Sequence, residues 1–169
     1  KAQITKALST VHDYRIILEL YRTDTGSYPT ADCMVNAGIS CNSTNDPFLN
    51  SLGVAGWKGP YASTWDLAHP WGGHIGYEYG SDDFGCCGIT DYTGDGITDY
   101  TIFLDDDRPN TSTADNGGRL PLDVMLAIDK ALDDGNLATG EVRGNGNGWA
   151  TGGGQATAAG ELCIHLSST

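Results

Sequence analysis

Between residues 1 and 23 the apolar side chains Ile4, Ala7, Leu8, Val11, Tyr14, Leu18 and Tyr21 recur at three- and four-residue spacings. Lys6, His12, Asp13, Arg15, Glu19 and Arg22 lie mostly between them. That period predicts one amphipathic helix of roughly six turns. It should stop where Thr23 to Ser27 supply turn formers and Tyr28-Pro29 forbids helical continuation. Residues 30 to 56 are polar and turn-rich. They hold one short helical candidate, with Asp46 as cap and Pro47 in the first turn before Phe48, Leu49 and Leu52.

Large aromatics then alternate with glycines, from Gly56 to Tyr61 and from His69 to Tyr79, a spacing suited to twisted strands of a small antiparallel sheet. Trp57, Tyr61, Trp71, Tyr77 and Tyr79 could form a sugar-stacking platform, but in so small a domain we expect them to fill the core. The run from Thr98 to Leu104 is rich in β-branched and aromatic residues and predicts a central strand. A second helix is expected from Pro121 to about Leu132, with Leu122, Met125, Leu126, Ile128 and Ala131 on its apolar face, ended by Asp133-Asp134-Gly135-Asn136. The glycine-rich stretches from Gly144 to Gly148 and Gly152 to Gly154 are costly to order. A last strand should run from Glu161 to Leu166. The sum is an α+β domain, an N-terminal amphipathic helix packed on a small antiparallel sheet with long loops, occupying 1–169 as one unit.

Composition narrows the partners. The 169 residues are 39% hydrophobic, enough for one core, and include 24 glycines but only 18% charged residues. A net charge of -13 repels phosphate backbones and anionic head groups, which argues against nucleic acid and favours divalent cations or basic protein surfaces. No apolar stretch is long enough to span a bilayer. The chain opens without Met and directly in helical pattern, which leads us to expect that an N-terminal segment has been removed.

Five cysteines, Cys33, Cys41, Cys86, Cys87 and Cys163, stand outside any zinc-type pair and suggest an oxidising compartment. A Cys33–Cys41 bridge would hold a short polar loop, and Cys163 bridged back to Cys87 or its neighbour Cys86 would tie down the C-terminal end.

The sharpest local signal is Asp91-Tyr92-Thr93-Gly94-Asp95-Gly96-Ile97-Thr98-Asp99. Oxygen side chains at Asp91, Thr93, Asp95 and Asp99, a backbone carbonyl at Ile97 and a turn at Gly96 would wrap a calcium ion, which takes six to eight oxygens. Position twelve is Ile102 rather than Glu, so the loop is not a full EF-hand. Missing ligands could come from Asp82, Asp83 or Asp105-Asp106-Asp107. The competing reading is an acidic solvated turn. A zinc site at Asp66, His69 and His74 is conceivable, though an aromatic hairpin with ordinary histidines explains them as well. No nucleophile elbow, redox CxxC pair or phosphate loop is present, so we expect no enzyme.

The order of these pieces resembles the type IV pilin and type II secretion pseudopilin superfamily. The resemblance rests on a first helix ending in Thr25-Gly26-Ser27-Tyr28-Pro29, then Trp57-Lys58-Gly59-Pro60-Tyr61, then Pro70-Trp71-Gly72. His69 stands where major pseudopilins carry Asp. The segments Ala127-Ile128-Asp129-Lys130, Leu132-Asp133-Asp134-Gly135 and Thr139-Gly140 are similar to a C-terminal pattern of pilin-like subunits.

The resemblance implies that residues 1–23 are the C-terminal half of one long helix and 24–169 a globular head. Its missing half would be an apolar half-helix of about 25 residues, freed from a leader by a prepilin peptidase and packed in a filament core. It further implies a structural calcium, methylation, and assembly with copies of itself and related pilin subunits through inner-membrane machinery. Contact with the membrane would be only through the absent segment. The expected place is an extracellular filament or the periplasm, inner-membrane-anchored before assembly.

Length, cysteines and the glycine-rich region lean towards a surface pilus over a secretion pseudopilus. The rival from another class is an extracellular calcium-dependent carbohydrate-binding module stacking sugars on Trp57, Trp65, Trp71 and Trp149, against which the helical opening argues. A secreted hydrolase comes third.

Overall fold

The structure is a computed structural model that describes residues 1–29, 46–63, 68–79, 96–97, 99–108, 117–145 and 160–168. Helix α1 spans Ala2–Thr25 and β1 Ile75–Tyr79. They are followed by β2 (Asp99–Leu104), α2 (Leu122–Leu132), β3 (Val142–Asn145) and β4 (Glu161–Ser168). The four strands form one antiparallel sheet in the order β1-β2-β4-β3, which is the α+β architecture the sequence pattern predicts.

Ala7, Val11, Tyr14, Leu18 and Tyr21 are the buried residues of α1, so the three- and four-residue spacing does place one stripe on the core. Each large member of that stripe contributes about 1.5–3 kcal/mol of transfer free energy as an upper figure. The stripe packs with Tyr77, Tyr100, Ile102, Leu104, Leu162 and Ile164 on one face of the sheet. The helix runs two residues past the expected stop, because the Thr23 and Thr25 hydroxyls donate back to the carbonyls of Glu19 and Tyr21. Gly26 then ends it in the left-handed region at φ 89, its N–H donating to the Arg22 carbonyl.

Strand β2 is buried on both faces, as a central strand should be. Tyr100, Ile102 and Leu104 meet α1's side, while Phe103 points the other way against His74 and lies opposite Cys163 in the β2–β4 register. Gly76 pairs with Phe103 in the β1–β2 register, and a Cβ there would run into the Phe103 ring.

Two expectations fail. Asp46 does cap, its Oδ1 accepting the Phe48 N–H at 2.8 Å, but 47–49 form a turn rather than a helix. Phe48 is wholly buried against the edge of Tyr21, so tertiary packing rather than helical propagation holds this segment. The aromatic run from Gly56 to Tyr61 is not a strand. Instead it wraps the C-terminus of α1: Lys58 pairs with Asp24 at 2.9 Å, the Tyr61 hydroxyl donates to the other Asp24 oxygen, and Trp57 Nε1 donates to the Pro47 carbonyl. Gly144, expected in a costly glycine-rich stretch, lies in β3, where its bare Cα lets Met125 of α2 come close. The second glycine run lies outside the described residues.

Candidate functional site

Three features have chemical potential, and α1 carries the first. Ile16 and Leu20, one turn apart, are 46% and 51% exposed, whereas Val11 and Leu18 are buried and Ile4, Leu8 and Ile17 half-buried. His12, Arg15, Glu19 and Thr23 surround them and line a shallow groove along the outer face of the helix. This is an apolar strip with a charged rim, the pattern of a surface that packs against another helix.

The second feature is the calcium loop read from Asp91 to Asp99. Asp91, Thr93 and Asp95 lie outside the described residues. So do Asp66, Asp82 and Asp83, Trp65 and Trp149, and Cys33, Cys41, Cys86 and Cys87. Gly96 has φ 83, a left-handed turn at the sixth position of the loop, and the Ile97 side chain faces solvent. Asp99 opens β2 and is buried, its Oδ1 3.3 Å from His165 Nε2 on β4. A cation in the loop would have to share that carboxylate with His165.

Asp105-Asp106-Asp107 cannot complete a site centred on Asp99. They follow the far end of β2, and a six-residue strand separates the two by roughly 20 Å. The run forms its own acidic knot, with one oxygen from each carboxylate within 4.8 Å of the others. Burial pushes the Asp105 carboxyl up to about 7, and the neighbouring Asp107 and Asp106 charges add to the shift. Asp106 is held by Arg119 at 3.0 Å.

His69 and His74 flank the same knot through backbone contacts. His69 Nε2 lies 2.8 Å from the Asp105 carbonyl and the His74 N–H donates to that of Asp107. Both rings are buried, and burial lowers each to about 4, so both are neutral at physiological pH. Nothing among the described residues gathers them with carboxylates into a zinc set.

The third feature, missed in the sequence, is the carboxylate group of Asp129, Asp133 and Asp134 at the end of α2. Asp129 falls on the buried stripe of that helix, four residues after Met125, and this spacing was the signal available.

Among the described residues, Trp57, Tyr61, Trp71 and Tyr77 are engaged in packing. Trp57 sits edge-on to Tyr61 and Tyr77 stacks on Tyr100, while Trp71 lies against the core beside His69. A flat sugar platform of Trp57 and Trp71 would need both rings free.

Residues 1–99 match the family described as type II secretion system (T2SS), protein G. The chain belongs to that family. The match covers more than half of the chain, from α1 through β1 to the first residue of β2. No curated protein and no solved structure gives a match. Membership makes the protein a pseudopilin-type subunit of the pilin superfamily, a family structural rather than catalytic in kind. The family implies assembly with other pseudopilins and with the secretion machinery. The pilus favoured above gives way at this level to a secretion subunit. No helix among the described residues is long and apolar enough to cross a membrane.

Proposed function

We propose that this protein is a non-enzymatic building block of a type II secretion pseudopilus, joined to its neighbours through α1 and an apolar N-terminal continuation of that helix. The observation that carries the reading is α1 itself. One stripe anchors the head to the sheet, and a second, outer strip of Ile16 and Leu20 lies exposed beside charged residues. A head that used α1 only to complete its own core would have no reason to present that strip. A neighbouring copy's helix covers it in the filament, and the apolar extension buries its surface against its copies once withdrawn from the membrane.

In this reading the loop ligands Asp91, Thr93, Asp95, the Ile97 carbonyl and Asp99 hold a calcium ion that orders a segment with little core of its own. The left-handed Gly96 supports it, since a loop of this spacing must turn sharply at its sixth position. The cysteines serve the same end. Cys163 is fully buried in β4. A bridge from it to Cys87, with a second between Cys33 and Cys41, suits the oxidising periplasm in which such heads fold.

A surface pilus is the second reading, favoured because the family match ends at residue 99 and leaves α2, β3 and β4 outside it. Deleting the gene separates the two. A pseudopilus subunit leaves secreted enzymes trapped in the periplasm with surface filaments intact, whereas loss of surface filaments with normal secretion identifies a pilin.

A further inference from the structure

Helix α2 ends in an arrangement that lies outside the family match and apart from the Asp91 to Asp99 loop. Asp129 lies in the last turn of α2, Asp133 is the C-cap whose N–H donates to the Asp129 carbonyl, and Asp134 follows directly. Gly135, at φ 80, turns the chain back so that its N–H donates to Asp129 Oδ1 at 3.2 Å. Asp133 Oδ2 accepts the Glu141 N–H at 2.5 Å and the Val142 N–H at 3.1 Å. Asp134 accepts the Asn136 N–H on one oxygen and the Thr139 hydroxyl on the other, both at 2.7 Å. The loop therefore folds around three carboxylates, and among the described residues none of them forms an ion pair.

Hydrogen bonds within the loop leave one group unsatisfied. Asp129 is 0% exposed, and its Oδ2 is buried without a hydrogen-bond partner. A buried carboxylate oxygen lacking a donor is left without the hydrogen bonds that water gave it, and the neighbouring Asp133 and Asp134 charges add repulsion. Burial raises the Asp129 carboxyl to about 6, with Asp134 and Asp133 contributing and the Gly135 N–H opposing. One oxygen from each of the three lies within 4.8 Å of the others. That spacing suits a common ion, because oxygens each bound at about 2.3–2.6 Å stand at most about 5 Å apart. Each carboxylate oxygen has more than one acceptor site, so Asp133 and Asp134 can keep their loop hydrogen bonds while ligating.

We propose that Asp129, Asp133 and Asp134 form a binding site for a hard divalent cation of the calcium class, separate from the Asp91 to Asp99 loop. An all-oxygen anionic set selects such an ion over softer metals. It supplies the missing partner of Asp129 Oδ2 and offsets three like charges together. Bound there, the ion clamps the C-terminus of α2 to the start of β3, whose first amides already hang on Asp133.

Calcium titration of the Asp95→Ala protein, followed through the backbone amide signals, tests this site apart from the loop. The expected result is a saturable shift of the Gly135 and Asn136 amides, reversed by chelator. The same titration on Asp95→Ala/Asp129→Asn should show affinity at that site weakened at least about tenfold, since ligand charge sets calcium affinity. Gly135 and Asn136 amides that stay still up to about 10 mM calcium, above the range of the weakest extracellular calcium modules, overturn the proposal. So does a double variant that binds as tightly as its parent. If the Asp129→Asn change unfolds the head, the Gly135 response in the parent alone decides. A failed loop site makes Asp95→Ala silent and leaves the Gly135 reading intact.

Discussion

His74 lies 2% exposed with Nε2 lacking a hydrogen-bond partner, against the edge of Phe103 and close enough to His69 for each to resist the other's charge. Its ordinary value of 6.5 falls to about 4 in the fold. Between those pH values the unfolded chain takes up a proton that the folded chain refuses. The contribution to stability is therefore full above pH 6.5 and lost as pH falls towards 4. Asp105, raised to about 7, works in the opposite sense across an overlapping range, so the whole-protein pH curve mixes the two.

A comparison with His74→Gln isolates the histidine. The stability of the variant relative to the parent should be flat above pH 6.5 and rise by roughly 2–3 kcal/mol on going down to pH 4. Denaturant unfolding across that range measures it, and a constant difference would show that His74 takes up its proton as readily in the fold as in the unfolded chain. That Asp129 is buried could have been read from its place on the stripe of α2. That His74 is buried could not, because the backbone of Asp107 and the ring of Phe103 reach it from elsewhere in the chain.

At the scale of elements, the periodic segments were legible and the aperiodic ones were not. Helix α1, strand β2 and helix α2 announce themselves because each repeats its own burial pattern along enough residues to outweigh local noise. The aromatic run at Gly56 to Tyr61 misled because aromatics at strand-like spacing also serve as a wrap when a helix terminus offers Asp24 as anchor. Strand β3 is only four residues long and contains Gly144, so its pairing with β4 decides its conformation, and composition does not.

The calcium loop belongs to this scale too. A melt of the head should rise with the logarithm of calcium concentration, reaching about 2.7 kcal/mol of added stability at a hundredfold excess over the dissociation constant. Asp95→Ala should remove the loop's share of that rise. Indistinguishable calcium responses in parent and variant would reduce Asp91 to Asp99 to a solvated acidic turn.

For the whole molecule, the two sides of one helix differ. The inner stripe of α1 closes the core over the sheet, and the outer strip of Ile16 and Leu20 stays exposed, the surface the proposed assembly would use. Family membership implies assembly with other pseudopilins, while residues beyond 99, including the acidic end of α2, lie outside the family match. The superfamily was legible from the motif order around α1. The choice between pilus and pseudopilus was not, since both use the same helix for the same physical purpose.

The most direct measurement introduces Ile16→Asp and Leu20→Asp together into the full-length precursor and follows filament assembly and secretion, alongside a thermal melt of the head. Because both side chains are exposed, the melt should move by no more than a few degrees, roughly 2–4 °C. Filaments and secretion should be lost. Normal filaments and normal secretion from a folded double variant would contradict the account that α1 joins subunit to subunit.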